Sequence, residues 1–478
     1  MILTTSFILI ILALAIYLNL RRPLWGLALV AFAWPFYIVR WSIFGLPTTL
    51  LEIFLLAAAI AFLLKKLFPA KLAPQNTTLK NPAPTAWRFP RPLWLLILWL
   101  AWSLLCAFVS PDWLSGLGLW RAYFLEPLIF IFLALNLIRH PQDWRLIWRA
   151  IGLGALLVAI LAIIQKFTGW LVPFDYWFRG EGPRVTSLFG YPNAVGLFLA
   201  PLVAWFAGRA IFPRRPTPET SKISPISKFI QKPLVSRLIP ALLALAGLLA
   251  VVWARSDGAL LALAAGFLLA GLFFKKTHYW ALAGILAAVL ILTISNPVRT
   301  TVLHKFSSEE WSTKVRLFTW AETTNMLDHN WLLGAGLGGY QAAMQPFHQA
   351  TALEIFLYPH NIILNFWSEL GLPGLLLFLA LLIVFFRQLC APPVFPVKKS
   401  LARANSQQSS SSVFVQNIAV WRFPLLWAFL VLLIHGLVDV PYFKNDLAIL
   451  FFWLWIQPQL IARLTSSLTT KNNSYEKL

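Results

Sequence analysis

Long apolar runs recur along the chain, at 4–20, 24–40, 45–64, 93–110, 120–138, 147–165, 194–212, 238–254, 258–274, 279–295, 361–388, 422–439 and 446–462. Each is close to the roughly 17–25 residues an α-helix needs to cross a bilayer. The ~10-residue alternation of membrane-barrel strands is absent. The pattern predicts an all-α, polytopic transmembrane helical bundle of about 12–13 spans. The first run has no basic segment before it and no small-residue cleavage site after it, so it reads as a span.

The polar stretches between the runs are of two kinds. Segments 67–92, 212–233 and 391–417 are rich in Pro, Ser, Thr, Asn and Lys. That composition cannot build a core, so they read as linkers without structure. Segments 166–192 and 296–359 instead carry aromatics and glycines. Connections this long usually have a function. Within the second, "STKVRLFTWAETTNMLDHN" has Ser312 as an N-cap and Leu317, Trp320, Ala321, Thr324 and Leu327 at helical spacing. It predicts a short, weakly amphipathic helix on the membrane surface, followed by a flexible turn at "WLLGAGLGGYQ". The division that follows is N-terminal transmembrane helices over 1–165 and a membrane domain over 166–462 that includes the large loop 296–359. A polar tail over 463–478 is expected to fray.

Composition agrees with a membrane class: 59% of residues are hydrophobic and 12% charged, against about 25% charged in soluble domains. The net charge of +22 raises the question of nucleic acid. Most of the 39 Lys and Arg residues fall in alternate loops, however. This is the bias of loops facing anionic cytoplasmic lipid. No aromatic and basic residues interleave for base stacking, so nucleic acid is not an expected partner. The same bias predicts an outside N-terminus, an inside C-terminus and extracytoplasmic loops at 166–192 and 296–359, where activity should lie. Cys106 and Cys390 form no C-x-x-C pair, which argues against disulfides and cysteine metal sites. "GAGLGG" satisfies G-x-G-x-x-G at Gly334, Gly336 and Gly339, but no strand precedes it to build a dinucleotide site.

Few polar residues remain that could carry chemistry. Pro359 suits the first turn of a helix, which places His360 at a helix N-terminus at the outer surface. The positive helix end favours a neutral imidazole, able to accept a proton from a hydroxyl. The alternative is an interfacial histidine bonded to headgroups. Arg184, Arg255 and Arg316, with Lys314 beside the last, are exceptions to the positive-inside bias. Guanidinium forks suit phosphate oxygens. Each arginine could equally pair with a nearby acid or snorkel to lipid phosphate. Glu369 lies inside an apolar run, and His435 and Asp439 lie one turn apart in the penultimate one. Ionisable groups at membrane depth usually face a partner or a cavity. A polar clamp between these helices and a role at a donor site both remain open.

The stretch "PHNIILNFWSELGLPGLLLFL" resembles the signature of the O-antigen ligase and polymerase family, in which a His-Asn pair opens a span and an E-x-G-x-x-G element follows. Here these residues are His360, Asn361, Glu369, Gly371 and Gly374. "RVTSLFGYPNAVGLFL", "RSDGALLALAAG", "WLLGAGLGGYQ" and "LIHGLVDVPYFKND" add to the resemblance, which covers the chain from Arg184 onward. It implies a GT-C-like membrane glycosyltransferase in the bacterial inner membrane, acting at the outer face without metal, nucleotide or other cofactor. The implied donor is a polyprenyl-diphosphate-linked glycan, and the acceptor a glycan, lipid or protein. The resemblance also implies that His360 is the essential histidine and that Arg316 contacts the diphosphate, with Asn361, Glu369 and Asp439 in support. A second family arginine sits in a Ser-Arg-Gly turn. Here that turn is Ser256-Asp257-Gly258, which leaves Arg255 or Arg184 for the second contact. Ligase, polymerase and protein oligosaccharyltransferase share the signature. A transporter is the reading from another class, and it would need charges lining midplane spans.

Overall fold

The structure is a computed structural model that describes residues 2–43, 46–68, 87–179, 182–213, 233–307, 310–349, 354–391 and 418–475. The chain folds as an all-α, polytopic membrane protein, and each apolar run of the sequence is centred on a helix. Among the described residues, six helices are long and apolar enough to cross a bilayer unaided, or seven if the pair His278–Ile294 and Asn296–Lys305, bent by 100°, counts as one span. Shorter apolar helices of 10–17 residues lie at Leu9–Arg21, Pro23–Phe32, Leu93–Val109, Asp257–Leu272 and Trp421–His435. Pro23–Phe32 passes into a 3₁₀ turn at Trp34–Ile38, and Asp257–Leu272 has 16 residues. The linkers expected at 67–92, 212–233 and 391–417 fall mostly outside the described residues, but 87–92 is ordered against the bundle: Arg88 N–H donates to Asn136 Oδ1 at 3.1 Å and Trp87 stacks on Phe132. The tail is not frayed through its length, because helix Asn445–Tyr475 carries helical backbone well past Thr465.

One hairpin interrupts the helices. Arg40–Ile43 pairs antiparallel with Leu46–Thr49, with Arg40 opposite Thr49. Thr49 then caps helix Leu50–Leu67 reciprocally with Glu52, satisfying two backbone donors at the helix start. Arg121 reaches back to the Pro47 carbonyl at 2.9 Å and to Glu52 at 3.0 Å. It begins a π-helical turn, Arg121–Leu125, inside the span Trp113–Leu137. The hairpin is thereby pinned to one end of the bundle.

Helix association in lipid depends on close packing and interhelical hydrogen bonds, since apolar burial alone distinguishes little from the lipid tails. Aromatic side chains supply much of that packing here. Trp148 stacks on Trp205 with centroids 3.9 Å apart, and both Trp144 and Trp148 direct their indole N–H at Gln457 Oε1, at 2.7 and 3.4 Å. Nearer the hairpin end, Trp99, Phe124, Phe366 and Tyr442 pack as one group. Tyr442 also donates to the Tyr123 carbonyl at 2.8 Å. These contacts fix the segment that joins the last two helices.

Helix Ile362–Cys390 breaks where the sequence places Glu369, Gly371 and Pro373. Gly371 has φ 66 and ψ −178, and a Cβ there would lie 1.9 Å from the Leu332 carbonyl oxygen. Only glycine fits both the left-handed backbone and that approach. The broken ladder frees backbone groups for the 331–338 loop. Leu372 N–H donates to the Trp331 carbonyl at 3.0 Å, and Ala335 N–H to the Ser368 carbonyl at 2.6 Å. Leu337 N–H reaches the Cys106 carbonyl at 2.9 Å on the neighbouring helix Leu93–Val109. "GAGLGG" is thus no free turn. Gly334, Gly336 and Gly338 all have positive φ, and the loop is laced into the notch. The carbonyl of Leu370, left over by the break, accepts from Trp102 Nε1 at 2.7 Å. Trp102→Phe should therefore leave this helical carbonyl with only the weak Cys106 thiol donor, 3.6 Å away. The expected cost is about 1 kcal/mol, the usual contribution of one hydrogen bond, read as a lower melting temperature of the purified protein in detergent. An unchanged melting temperature would show that the carbonyl finds another partner.

The large loop holds more than a short surface helix. It contains Asn296–Phe306, Trp311–Asn330 and Tyr340–Met344. Glu310, two residues ahead of the expected Ser312, caps the middle one by accepting from Thr313 N–H at 2.7 Å. The buried face is Thr319, Glu322, Thr323, Met326 and Leu327, so of the expected apolar face only Leu327 is buried and Leu317 is exposed. Met326 and Leu327 pack with Ala335, Tyr340 and Met344 in a small core of the loop's own. Glu322 accepts from Gln349 N–H at 2.8 Å and faces His348 Nδ1 at 3.1 Å. The loop is a packed cap on the helix bundle.

Candidate functional site

The segment 436–439, which follows helix Ile418–His435, gathers most of the residues singled out from sequence. Ile362 N–H donates to the Gly436 carbonyl at 2.7 Å, and Asn361 Nδ2 to the Leu437 carbonyl at 3.1 Å. Arg316 Nε donates to the Val438 carbonyl at 2.9 Å. Asp439, which is 2% exposed, presents Oδ1 3.6 Å from His360 Nδ1. Four consecutive residues of one turn thus bind the start of helix Ile362–Cys390, the loop arginine and the histidine. His360 and Arg316 stand at the same end of the bundle, on either side of this turn.

The local sequence explains the histidine's position, with one correction. The cap of helix Ile362–Cys390 is Asn361, whose side chain accepts from Ile363 N–H at 2.9 Å and Leu364 N–H at 3.1 Å. Pro359 and His360 therefore precede the helix and are not part of its first turn. His360 adopts left-handed backbone, φ 51. For a residue with a Cβ this conformation costs about 1–2 kcal/mol, and the surroundings hold it. Trp320 Nε1 donates to the Pro359 carbonyl at 2.8 Å. The rings of Phe356 and Tyr358 meet the imidazole edge-on, with centroids 5.4 and 5.0 Å away. The group that faces Nδ1 is a carboxylate, so the histidine's closest electrostatic partner is Asp439 and not the helix end.

Asp439 lies beyond its helix rather than inside the penultimate span, because the helix ends at His435. Burial pushes its carboxyl up, but His360, His435 and the Val440 N–H bring it down further, to about 2. It is an anion at any pH near neutrality. At 3.6 Å the contact is electrostatic, and His360 Nδ1 makes no hydrogen bond among the described residues; a carboxylate on that side favours the tautomer with the proton on Nδ1 and Nε2 as the acceptor.

The arginines have different surroundings. Arg316 is half-buried on helix Trp311–Asn330 and uses Nε on Val438 and Nη1 on Ser312 Oγ, at 2.6 Å. Its Nη2 makes no hydrogen bond among the described residues. Arg184 is committed to structure. Nε reaches the Ala254 carbonyl at 3.0 Å, Nη2 reaches Asn193 Oδ1 at 3.0 Å and the Arg255 carbonyl at 3.4 Å, and the guanidinium lies over Trp177. Burial first, then the nearby Arg255 charge, lower the Arg184 guanidinium from its ordinary value. Its loop is fixed from below by Gln165, whose Oε1 accepts from Thr186 and Ser187 N–H at 2.9 and 2.6 Å. Arg255 has φ 50, and its guanidinium lies where a Cβ on Gly182 would fall. The Arg184 and Arg255 segments are thus clasped together.

The 254–258 turn touches the central segment through Gly258, where a Cβ would lie 3.0 Å from Val438 and 3.1 Å from the His435 ring. Asp257, standing where the family resemblance led us to expect arginine, pairs with Lys305 of the loop helix Asn296–Phe306. Its charge is met by a loop cation, and both groups are more than half exposed.

Glu369 is not brought to this centre. Its Oε2 accepts from Gly338 N–H in the laced loop. Of the two roles left open, it performs a clamp, though between helix and loop instead of between the two helices named from sequence.

Three residues escaped the sequence reading. Tyr191 and Tyr358 hydroxyls lie 3.0 Å apart, and Lys444 donates to the first of them. A signal was present: each tyrosine precedes a proline at the approach to a helix, in "YPN" and "YPHN". Lys444 sits in "PYFKND" just before the last helix, where no sequence pattern marks it.

Residues 242–379 match the family model described as O-Antigen ligase. The match takes in Arg255, Arg316, His360, Asn361 and Glu369, while Arg184, Asp439 and Lys444 lie outside it. A search of curated proteins gave no match to the chain.

Proposed function

We propose that this chain, with an O-antigen ligase domain over residues 242–379, transfers a glycan from a polyprenyl-diphosphate carrier to an acceptor hydroxyl at the outer face of the bacterial inner membrane. The observation that carries the reading is the 436–439 turn. It sets the Asp439–His360 pair and the Arg316 guanidinium side by side at one end of the bundle. Residues 166–462 act as the catalytic membrane domain, and the helices of 1–165 pack against them in one continuous core.

In this reading Asp439 orients the imidazole, and His360 Nε2 takes the proton of the acceptor hydroxyl. The acceptor oxygen forms a bond to the anomeric carbon as the carbon–oxygen bond to the diphosphate breaks, which inverts that centre. The diphosphate leaves with the bonding electron pair, and Arg316 meets the charge that grows on its oxygens. Arg255 and Arg184 stand one layer back. Their support for this reading is the Gly258 contact with Val438, through which their turn reaches the same centre. The lipid tail would lie between helices.

Incubating the purified protein with a radiolabelled polyprenyl-diphosphate glycan and a panel of acceptors tests the proposal. Label should move to one acceptor class: lipid core, growing glycan or protein hydroxyl. Labelled donor that merely crosses a vesicle membrane unchanged would point to a transporter and overturn it.

A further inference from the structure

Two tyrosines and a lysine that this chemistry does not use lead from the bundle interior to His360. Lys444 donates to the Tyr191 hydroxyl, and its ammonium lies 4.0 Å from the Tyr191 ring centroid. The Tyr191 and Tyr358 hydroxyls are 3.0 Å apart. The Tyr358 ring meets the His360 ring at 5.0 Å. The chain of contacts therefore ends beside the proposed general base. Its anchor is rigid: Lys444 follows Tyr442, packed among Trp99, Phe124 and Phe366, and the Lys444 carbonyl accepts the Ala448 N–H at 2.9 Å.

The chemistry of the donors sets a direction. An ammonium has three protons to give and no lone pair to accept with. The Tyr191 oxygen therefore accepts from Lys444, and of the two directions open to the hydroxyl pair, the one with Tyr191 as donor leaves the Tyr358 O–H as the outward end of the series. That O–H has no other hydrogen-bond partner among the described residues. Burial lowers Lys444, Asp446 and Asp439 raise it and Arg40 lowers it further; the balance is about 8, so the group still carries its charge at neutral pH. Hydrogen bonds in series polarise one another, and a cation at one end makes the last O–H a stronger donor.

We propose that Tyr358 donates a hydrogen bond to an anionic oxygen of the carrier diphosphate, and that Lys444, acting through Tyr191, is the positioning residue that aims it. This rests on the transferase reading above, and it adds a tyrosine contact to the arginine contact. No proton changes hands.

The test uses the full-length protein in detergent and unglycosylated polyprenyl diphosphate as the binding probe, alongside the transfer assay. Tyr358→Phe removes one oxygen and should weaken both binding of the probe and kcat/KM about 10- to 100-fold, the range for one hydrogen bond to a charged partner. Lys444→Met should do the same, and Lys444→Arg, still a donor-only cation, should recover most of the loss. Because the residues act as a unit, the double variant Tyr358→Phe with Lys444→Met should be no weaker than Tyr358→Phe alone. Multiplying losses, or a Tyr358→Phe protein that binds the probe like wild type, would overturn the proposal. The two readings fail separately. A probe that binds in a Tyr358-dependent way without any glycan transfer removes the transferase reading and keeps the contact. Normal transfer by Tyr358→Phe removes the contact alone, and a wild-type protein that does not bind the probe removes both.

Discussion

His360→Ala should lower transfer by about 10²- to 10⁴-fold, the range that a positioned general base contributes, while leaving the protein abundant in the membrane. The imidazole is partly exposed, with 23% of its side chain accessible, so truncation opens no large buried cavity. The backbone at φ 51 is no easier or harder for alanine, since both residues carry a Cβ. What is lost is the Nε2 acceptor and a partner for the Asp439 carboxylate. Among the described residues that carboxylate then keeps the Val440 N–H and the nearby His435 and Lys444 to hold its charge. A modest fall in melting temperature should accompany the loss of activity. Asp439→Asn supplies the comparison. It keeps the shape and can turn its amide N–H toward Nδ1, forcing the other tautomer and turning Nε2 into a donor. It should lose activity nearly as far as His360→Ala, although the histidine is intact. Product formed by His360→Ala at near the wild-type rate would remove the histidine from the mechanism.

The helical class and the position of nearly every helix were legible from the apolar runs alone, because a bilayer imposes both length and composition. The number of self-sufficient spans was not. Runs such as 24–40 and 258–274 are apolar enough, but Pro35 and the short turn at 273–277 divide or shorten their helices. The hairpin at 40–49 was hidden inside what read as two adjacent spans.

Within the candidate site, His360 and Arg316 stand out in the sequence because each is a polar exception in an apolar or outward-facing setting, and Asn361 through the family resemblance. Their meeting point was not, since it is a set of backbone carbonyls at 436–438, which no side chain in the sequence announces. Glu369 illustrates the converse. An acid in an apolar run reads as chemistry, yet here it serves the backbone of Gly338, freed by a glycine-rich turn that the sequence displayed but did not explain. The phase of helix Trp311–Asn330 differs from the expected one because Thr319, Glu322 and Thr323 share the buried face with Met326 and Leu327. Thr323 Oγ1 bonds to the Tyr340 hydroxyl at 2.7 Å, a polar contact that hydrophobic periodicity cannot register.

Arg316→Ala should cost about 10³-fold or more in kcat/KM, by comparison with arginines that meet charge on a leaving phosphate elsewhere. The more informative variant is Arg316→Lys. It keeps the positive charge and removes the planar fork, with Nε no longer available to the Val438 carbonyl. In the present arrangement that bond and the Nη1 bond to Ser312 Oγ fix two edges of the guanidinium and leave Nη2 to point elsewhere. A lysine ammonium has no such scaffold. It can still attract a diphosphate, but it cannot be held where charge develops during the departure of the leaving group. Interactions that strengthen only in the transition state appear in kcat, whereas uniform binding appears in KM. Arg316→Lys should therefore leave KM for the lipid-diphosphate donor within a few-fold of wild type and lower kcat by about 10²-fold. Initial rates over a range of donor concentration, with the melting temperature measured in parallel, distinguish this from a structural defect. A lysine variant with unchanged kcat would show that the site needs only a charge at this position. A rise in KM alone would place Arg316 in capturing the donor and not in the chemical step.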